Sequence, residues 1–407
     1  MIDVFIGTKA QYIKTAPLLR LFAERGIPYR LIDSGQHAKT AADLRDFLGV
    51  KEPDAVLQDE GNIKTVSQAF RWFARNLLVT IFRPGVLRRR LFSPGAGPCI
   101  IHGDTPSTLL GLIMAKRAGK QVVHLEAGLR SFNLLKPFPE ELIRIICMKL
   151  SDLLFAPSDW AEANLRKMGV KGRICNIGQN TNVEALYYAM ERGSGGATPT
   201  APYCVLTFHR VETIMNRQRI LFILKMMQHL AQSTEIVFVQ HDATIKKLAD
   251  FGLLDSFVAV RRGTAKARQP VSLSMTPTWA RQFVITDGGS IQEECAYLGK
   301  PCLVMRSETE RQEGLDGVVR LSNFDWNEVL QFVGTYKNLG AGGRIPNRNS
   351  SELVLSVLAE RFRECAPAKP NDTQTLERKL NMVQEVDPRL GRLEGSNRSV
   401  PPRLPST

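Results

Sequence analysis

PCIIHGDTPSTLLGLIMAKRAGKQVVHLEAG, residues 98–128, reads as a strand, a helix and a second strand. Residues 98–103 form a short apolar run, Thr105 is a good helix N-cap, and Pro106 suits the first helical position. Residues 105–118 carry a helical pattern, and 121–126 return to a strand-like run. Two strands joined through a helix make a parallel crossover unit. Both strands run into an acid that local structure does not need. Asp104 precedes a residue that already caps the helix, and Glu126 stands before the turn Ala127-Gly128.

Outward from this unit the same alternation spans most of the chain. Further strand candidates are 2–7, 28–33, 152–156, 173–177, 203–208, 235–239, 257–261, 282–286 and 301–305. Helix candidates are 11–25, 139–150, 158–168, 216–231 and 289–298. The expected class is therefore α/β with parallel sheets. Gly193-Ser194-Gly195-Gly196-Ala197-Thr198-Pro199-Thr200 has the composition of a hinge. It predicts a first domain over 1–192 and a second over 201–349. Residues 350–364 read as an amphipathic helix. The stretch 366–407, rich in Pro, Asn, Asp, Arg and Ser, is expected to be poorly ordered apart from a weak helix near 374–385.

A chain of 407 residues exceeds one ordinary core. Its 43% hydrophobic and 23% charged residues are those of a globular protein. The apolar run Leu77-Leu78-Val79-Thr80-Ile81-Phe82 is bracketed by Arg75 and Arg83, far short of the ~18–20 residues a membrane span needs. Met1 to Ile6 reads as a strand and not as a signal peptide, so a cytoplasmic protein is expected. The 7 cysteines are scattered without a Cys-x-x-Cys pair, which argues for reduced thiols and against a metal framework.

The net charge of +14 is concentrated. Between 64 and 92 lie Lys64, Arg71, Arg75, Arg83, Arg88, Arg89 and Arg90 with no acidic residue, interleaved with Phe70, Trp72, Phe73, Phe82 and Phe92. Three readings stand: a solvated helix face with the aromatics packed inward, a surface for an anionic lipid or a protein partner, and nucleic-acid binding. The last is least supported, because the charge is one patch and no nucleic-acid motif accompanies it.

In open parallel sheets ligands bind at the carboxyl ends of the strands. Pro139-Glu140-Glu141 opens a helix, where acids also complement the dipole. Thr207-Phe208-His209-Arg210 closes the first strand of the second half. Thr286-Asp287-Gly288-Gly289-Ser290 precedes a helix whose free N–H groups suit a phosphate, although a tight turn capped by Ser290 is a sufficient alternative. Strand 301–305 runs into Arg306 and Glu308-Thr309-Glu310-Arg311, where a guanidinium can clamp a diphosphate. No Gly-x-Gly-x-x-Gly follows the first strand and Walker spacing is absent, so dinucleotide binding and ATP hydrolysis are not expected.

Taken with Gly7-Thr8-Lys9, Ile13-Lys14-x-Ala16-Pro17, Gly35-Gln36-His37, His102-Gly103-Asp104-Thr105, His124 to Arg130 and Gly299-Lys300-Pro301, these segments resemble the bacterial UDP-N-acetylglucosamine 2-epimerase family. They keep that family's order over residues 1–312. The resemblance implies two Rossmann-like domains of the glycosyltransferase-B type, a site in the cleft between them, a final helix near 350–365 crossing back to the first domain, and a homodimer. Asp104, Glu126, Glu140 and His209 match the catalytic positions. Lys9, Lys14, Gln269, Gly288, Gly289, Ser290, Glu294 and Arg311 match the UDP-sugar site. Gln36, His37 and His241 match part of a second, regulatory UDP-N-acetylglucosamine site. No cofactor and no metal are implied. Three positions depart from the usual pattern. Lys9 stands where Arg is usual, Gly288-Gly289-Ser290 replaces Ser-Gly-Gly, and the uracil segment 269–274 lacks aromatic residues.

The chemistry implied is an elimination. The C2 hydrogen of an N-acetylhexosamine is not acidic, so UDP leaves C1 first and a carboxylate then takes the C2 proton. The resulting 2-acetamidoglucal is reprotonated on its other face and UDP adds back. Gln36-His37 and His209-Arg210 favour this non-hydrolysing outcome. A hydrolysing epimerase releasing free N-acetylmannosamine, a glycosyltransferase of the same architecture, and a non-enzymatic binding protein are the alternatives.

Overall fold

In a computed structural model the described residues are 1–36, 44–57, 66–134, 139–192, 203–260, 283–315, 317–339 and 349–363. His37, Gln269, the hinge 193–200 and the tail 366–407 lie outside them. Two sheets, both wholly parallel, organise the chain. The first has seven strands: β1 (Ile2–Ile6), β2 (Tyr29–Asp33), β3 (Ala55–Val56), β4 (Pro98–His102), β5 (Gln121–Leu125), β6 (Leu153–Ala156) and β7 (Arg173–Asn176). Their order is β3-β2-β1-β4-β5-β6-β7. The second has five: β8 (Tyr203–Thr207), β9 (Glu235–Val239), β10 (Phe283–Thr286), β11 (Cys302–Val304) and β12 (Val319–Leu321), in the order β12-β11-β10-β8-β9.

The strands are continuous apolar runs because helices cover both faces, the usual state of a parallel sheet. Around the first sheet pack Phe5, Ile32, Cys99, Ile101 and Val122 with Trp72, Leu91 and Phe92. In the second, Phe208, Phe238 and Phe257 pack mutually, with the Phe208 and Phe238 rings 5.4 Å apart. Strand order reverses direction between β1 and β4 in the first sheet and between β8 and β10 in the second. At such switch points the loops diverge and open a crevice beyond the strand ends. Residues 7–9, 103–105, 207–210 and 286–290 all lie there.

Local chemistry fixes the helix starts at these crevices. Thr8 caps Lys9–Glu24 through a capping box with Gln11, and Thr105 caps Pro106–Arg117 through one with Thr108. Helix Glu140–Leu150 has no side-chain cap, and Gly288 begins Gly289–Tyr297 without one. Ser290 is therefore not the cap of that helix. The helix Ser350–Arg363 is tied to earlier segments: the Ser351 amide donates to Glu184 Oε1 at 2.8 Å, and Arg25 pairs with Glu352 at 2.8 Å.

One expected strand is wrong. Residues 257–260 do not pair; Leu254–Val260 is a helix, with Phe257 buried beneath it, and residue 261 lies outside the described residues. The apolar run is short enough to fit either period, and Phe257 is drawn inward by the Phe208–Phe238 pair. The two-residue β3 and the three-residue β12 are too short to carry a pattern of their own.

Candidate active site

Glu126 is the residue around which the site is built. It follows β5 directly and has φ = 63°, a left-handed conformation uncommon for a residue with a Cβ. Such backbone costs of order 1–3 kcal/mol and persists only where surroundings over-determine it. They do so here. Ala127 N donates to Phe155 O at 3.0 Å, and Gly103 N to Leu125 O at 3.1 Å. At Gly128 an added Cβ would lie 2.2 Å from Ala161 O, so only glycine turns the chain there. The strained corner aims the carboxylate back over the strand ends.

That carboxylate collects cations from both halves of the chain. Lys14 Nζ donates to its two oxygens at 2.7 and 2.8 Å, and Asn180 Nδ2 donates to Oε1 at 2.6 Å. Arg311, from the second half, donates to Oε1 and through Nη1 to Glu293 Oε2 at 2.6 Å. Burial alone would raise the pKa of Glu126, but Lys14 and Arg311 outweigh it and hold the group well below the carboxylate range. Glu293 and Glu294, both buried, are instead pushed up by desolvation, Glu294 to about 7. Glu293 Oε1 and Glu294 Oε2 have no hydrogen-bond partner among the described residues.

Glu140 stands at a second corner with the opposite character. Its Oε2 is buried without a hydrogen-bond partner among the described residues, and desolvation with the nearby Asp104 pushes its pKa up to about 7. Helix-dipole complementarity would stabilise the charged form and lower the value, so it does not account for this residue. The neighbouring Glu141 does fit that description. Arg130, Ser131 N and Arg144 all serve it, and its pKa is lowered although burial opposes this. Asp104 is ion-paired with Arg144 Nη2, which also reaches Glu310 Oε1 at 3.9 Å. Glu310, buried, is held well below its ordinary range, because Arg210 at 2.8 Å, Arg306 at 2.7 Å and Arg144 overcome desolvation.

His209 faces the cleft on one side, and its ring lies 4.5 Å from that of His241. Buried Asp287 fixes the loop by accepting from the amides of His209 at 3.0 Å and Arg210 at 2.9 Å. Desolvation lowers the pKa of both histidines, that of His241 to about 4 with His209 adding repulsion. Gly288 and Gly289 let backbone pass close to this set; a Cβ on Gly289 would lie 2.8 Å from Glu310 Oε1. The first amides of Gly289–Tyr297 have no intrahelical acceptor. Lys9, half-buried, has its pKa lowered by desolvation, with Asp242 opposing this.

The structure thus places Asp104 beside Glu140 and sets Lys14 and Arg311 on Glu126, with His102 and His124 in electrostatic range of both Asp104 and Glu126. His209 and Lys9 lie within electrostatic range of His241 or its neighbours. Gln36 follows β2, its amide donating to Ser34 Oγ at 3.4 Å. Arg306 pairs with Glu310 at 2.7 Å and reaches Glu212 at 4.0 Å, whereas Arg311 pairs with Glu126 and Glu293. Sequence reasoning missed Arg144 and Asn180. Arg144 was findable, lying one helical turn beyond Glu140 and Glu141 on the same face; Asn180 has no local signal.

Acidic and basic side chains thus stand at the strand ends of two parallel α/β sheets, in a fold of the glycosyltransferase-B-like class. The profile of the family described as UDP-N-acetylglucosamine 2-epimerase matches residues 20–340, and the chain belongs to that family. The UDP-N-acetylglucosamine 2-epimerase of Methanocaldococcus jannaschii is 26% identical over 373 residues, 88% of this chain and 98% of its own length. The UDP-2,3-diacetamido-2,3-dideoxy-D-glucuronate 2-epimerase of Pseudomonas aeruginosa is 28% identical over 316 residues, 75% of this chain and 83% of its own. Among solved structures, that of the M. jannaschii enzyme in complex with UDP-GlcNAc and UDP aligns with a TM-score of 0.76 at 24% identity, covering 88% of this chain and 99% of that one. The Neisseria meningitidis UDP-GlcNAc 2-epimerase bound to UDP-GlcNAc gives 0.73 at 22%, with 88% and 99% covered.

Proposed function

We propose that this chain interconverts UDP-N-acetylglucosamine and UDP-N-acetylmannosamine by eliminating UDP to a 2-acetamidoglucal and adding it back. The observation that carries the reading is the pair of glutamates set apart in one cleft: Glu126 held well below its ordinary range, Glu140 pushed up to about 7. Two carboxyl groups of opposite proton preference are what an acid and a base acting on two faces of one carbon require.

In the forward half-reaction the C1–O bond breaks and its electron pair leaves with UDP. Lys14, Arg311 and the amides of 288–290 receive that charge. A carboxylate takes the C2 proton, and the C–H electrons become the C1=C2 double bond. Glu126, held in its ionised form, is the base for that proton, and protonated Glu140 is the acid for the other face, with Asp104, ion-paired to Arg144, beside Glu140. Return of a proton to the opposite face and of the phosphate oxygen to C1 inverts C2. His209 stands at the edge of this group as a further hydrogen-bonding partner. Glu294, with its unpartnered Oε2, suits the hydroxyls of the nucleoside. Residues 1–192 and 201–349 act as the two walls of the cleft.

The test is the identity of the product. Incubation of UDP-N-acetylglucosamine with the protein, followed by proton and phosphorus NMR, should yield UDP-N-acetylmannosamine with UDP only in trace. Accumulation of UDP and free N-acetylmannosamine would replace this reading with the hydrolysing one.

A further inference from the structure

We propose that the helical hairpin Val66–Phe82 and Pro84–Leu91 is a docking surface that lays the protein onto an anionic lipid bilayer. The inward-packing expectation holds for only part of the segment. Trp72, Leu87, Leu91 and Phe92 are buried, and Phe73 packs against them. Phe70 and Phe82 do not: they are 71% and 76% exposed, and Leu78, Ile81 and Val86 are exposed beside them.

At helical spacing Phe70, Leu78, Ile81 and Phe82 fall on one side of Val66–Phe82, and exposed Arg71 and Arg75 share that side. This is the pattern of a helix lying in a membrane interface, with apolar side chains in the acyl boundary and guanidiniums beside them at the headgroups. The positive field extends around the hairpin. Arg117 donates to Ile81 O at 3.1 Å and Arg30 to Arg90 O at 3.0 Å, so a guanidinium closes the carbonyl end of each helix. Arg83, Arg88, Arg89 and Arg90 form no ion pair among the described residues. No helix of the described chain is long and apolar enough to cross a membrane, so the contact is with its surface.

Charge decides between lipid and a second copy of the chain. A two-fold interface sets the same patch against itself. Here that would bring together facing arginines with no carboxylate between 66 and 92 to separate them. A bilayer of phosphatidylglycerol supplies both the counter-charge and the apolar layer that the exposed phenylalanines fit.

The test is co-sedimentation of the full chain with vesicles of phosphatidylcholine alone or mixed with phosphatidylglycerol, at low and high salt. Binding is expected only with the anionic lipid and is lost at high salt, since surface attraction is screened within about a Debye length. Arg88→Ser/Arg89→Ser/Arg90→Ser should lower partitioning by about tenfold or more. Phe70→Ser/Phe82→Ser should lower it at unchanged charge, and both variants should keep turnover and circular dichroism. Absence of binding to any vesicle overturns the proposal, as does binding that neither variant alters. Sedimentation velocity covers the other occupant. If Phe70→Ser/Phe82→Ser converts a dimer to a monomer and no vesicle is bound, the surface belongs to a second copy.

Discussion

At the end of β5 the carboxylate of Glu126 meets Lys14, Asn180 and Arg311, whereas at the start of the helix Glu140–Leu150 the carboxylate of Glu140 has a buried oxygen with no hydrogen-bond partner among the described residues. Both side chains leave water. The first finds two cations and stays ionised; the second finds Asp104 and is driven toward its neutral form. One residue type thus supplies two proton-handling states, because Lys14 and Arg311 outweigh burial at Glu126 whereas Arg210 and Arg144 do not outweigh burial and Asp104 at Glu140. The first corner also joins the halves of the chain, because Lys14 and Asn180 come from one and Arg311 from the other.

The contrast is broken most severely by removing its charges. Glu126→Gln and Asp104→Asn should each lower turnover by about two to four orders of magnitude, the usual worth of a positioned acid or base. Steady-state assays with a coupled product read-out measure it, and near-normal rates in both variants would remove them from the mechanism. Arg311→Ala leaves Glu126 and Glu293 with one fewer cation in a buried site, so denaturant unfolding should show a loss of about 3–5 kcal/mol. UDP affinity by calorimetry should fall with it.

The second corner is sharpened by pH. The Glu140 carboxyl is raised from 4.5 to about 7 in the fold, so its neutral form is favoured there. Its stabilising share is complete below the ordinary value and is lost as pH rises through about 7. The same ionisation removes the acid, and kcat/KM should fall by about tenfold per pH unit on the alkaline side if Glu140 donates the proton. Glu140→Gln should abolish that limb while leaving a lower, flatter profile. The smallest effect is expected at Ser290→Ala, which removes one neutral hydrogen bond and should weaken UDP by about 0.5–1.5 kcal/mol.

Most of the fold was legible because its strands are continuous apolar runs bounded by caps and glycines. The strands 98–103 and 121–126 end within one residue of β4 and β5. The failure at 257–261 arose where a run too short to show its period is settled by packing against Phe208 and Phe238. Within the site, Asp104 and Glu126 were visible as acids that no cap required. What separates Glu126 from Glu140 was not visible, because Lys14, Asn180 and Arg311 lie far from Glu126 in sequence and meet it only in the fold. Arg144 illustrates the intermediate case: its helix face was readable, its bond to Asp104 was not.

The central claim is that these two corners move a proton on and off C2 of a UDP-linked sugar. The most direct measurement is proton NMR of UDP-N-acetylglucosamine incubated with the protein in D2O. The account predicts deuterium at C2 of both epimers while the sugar remains linked to UDP, and no exchange with Glu126→Gln. Turnover of the UDP-sugar without any deuterium at C2 would contradict it.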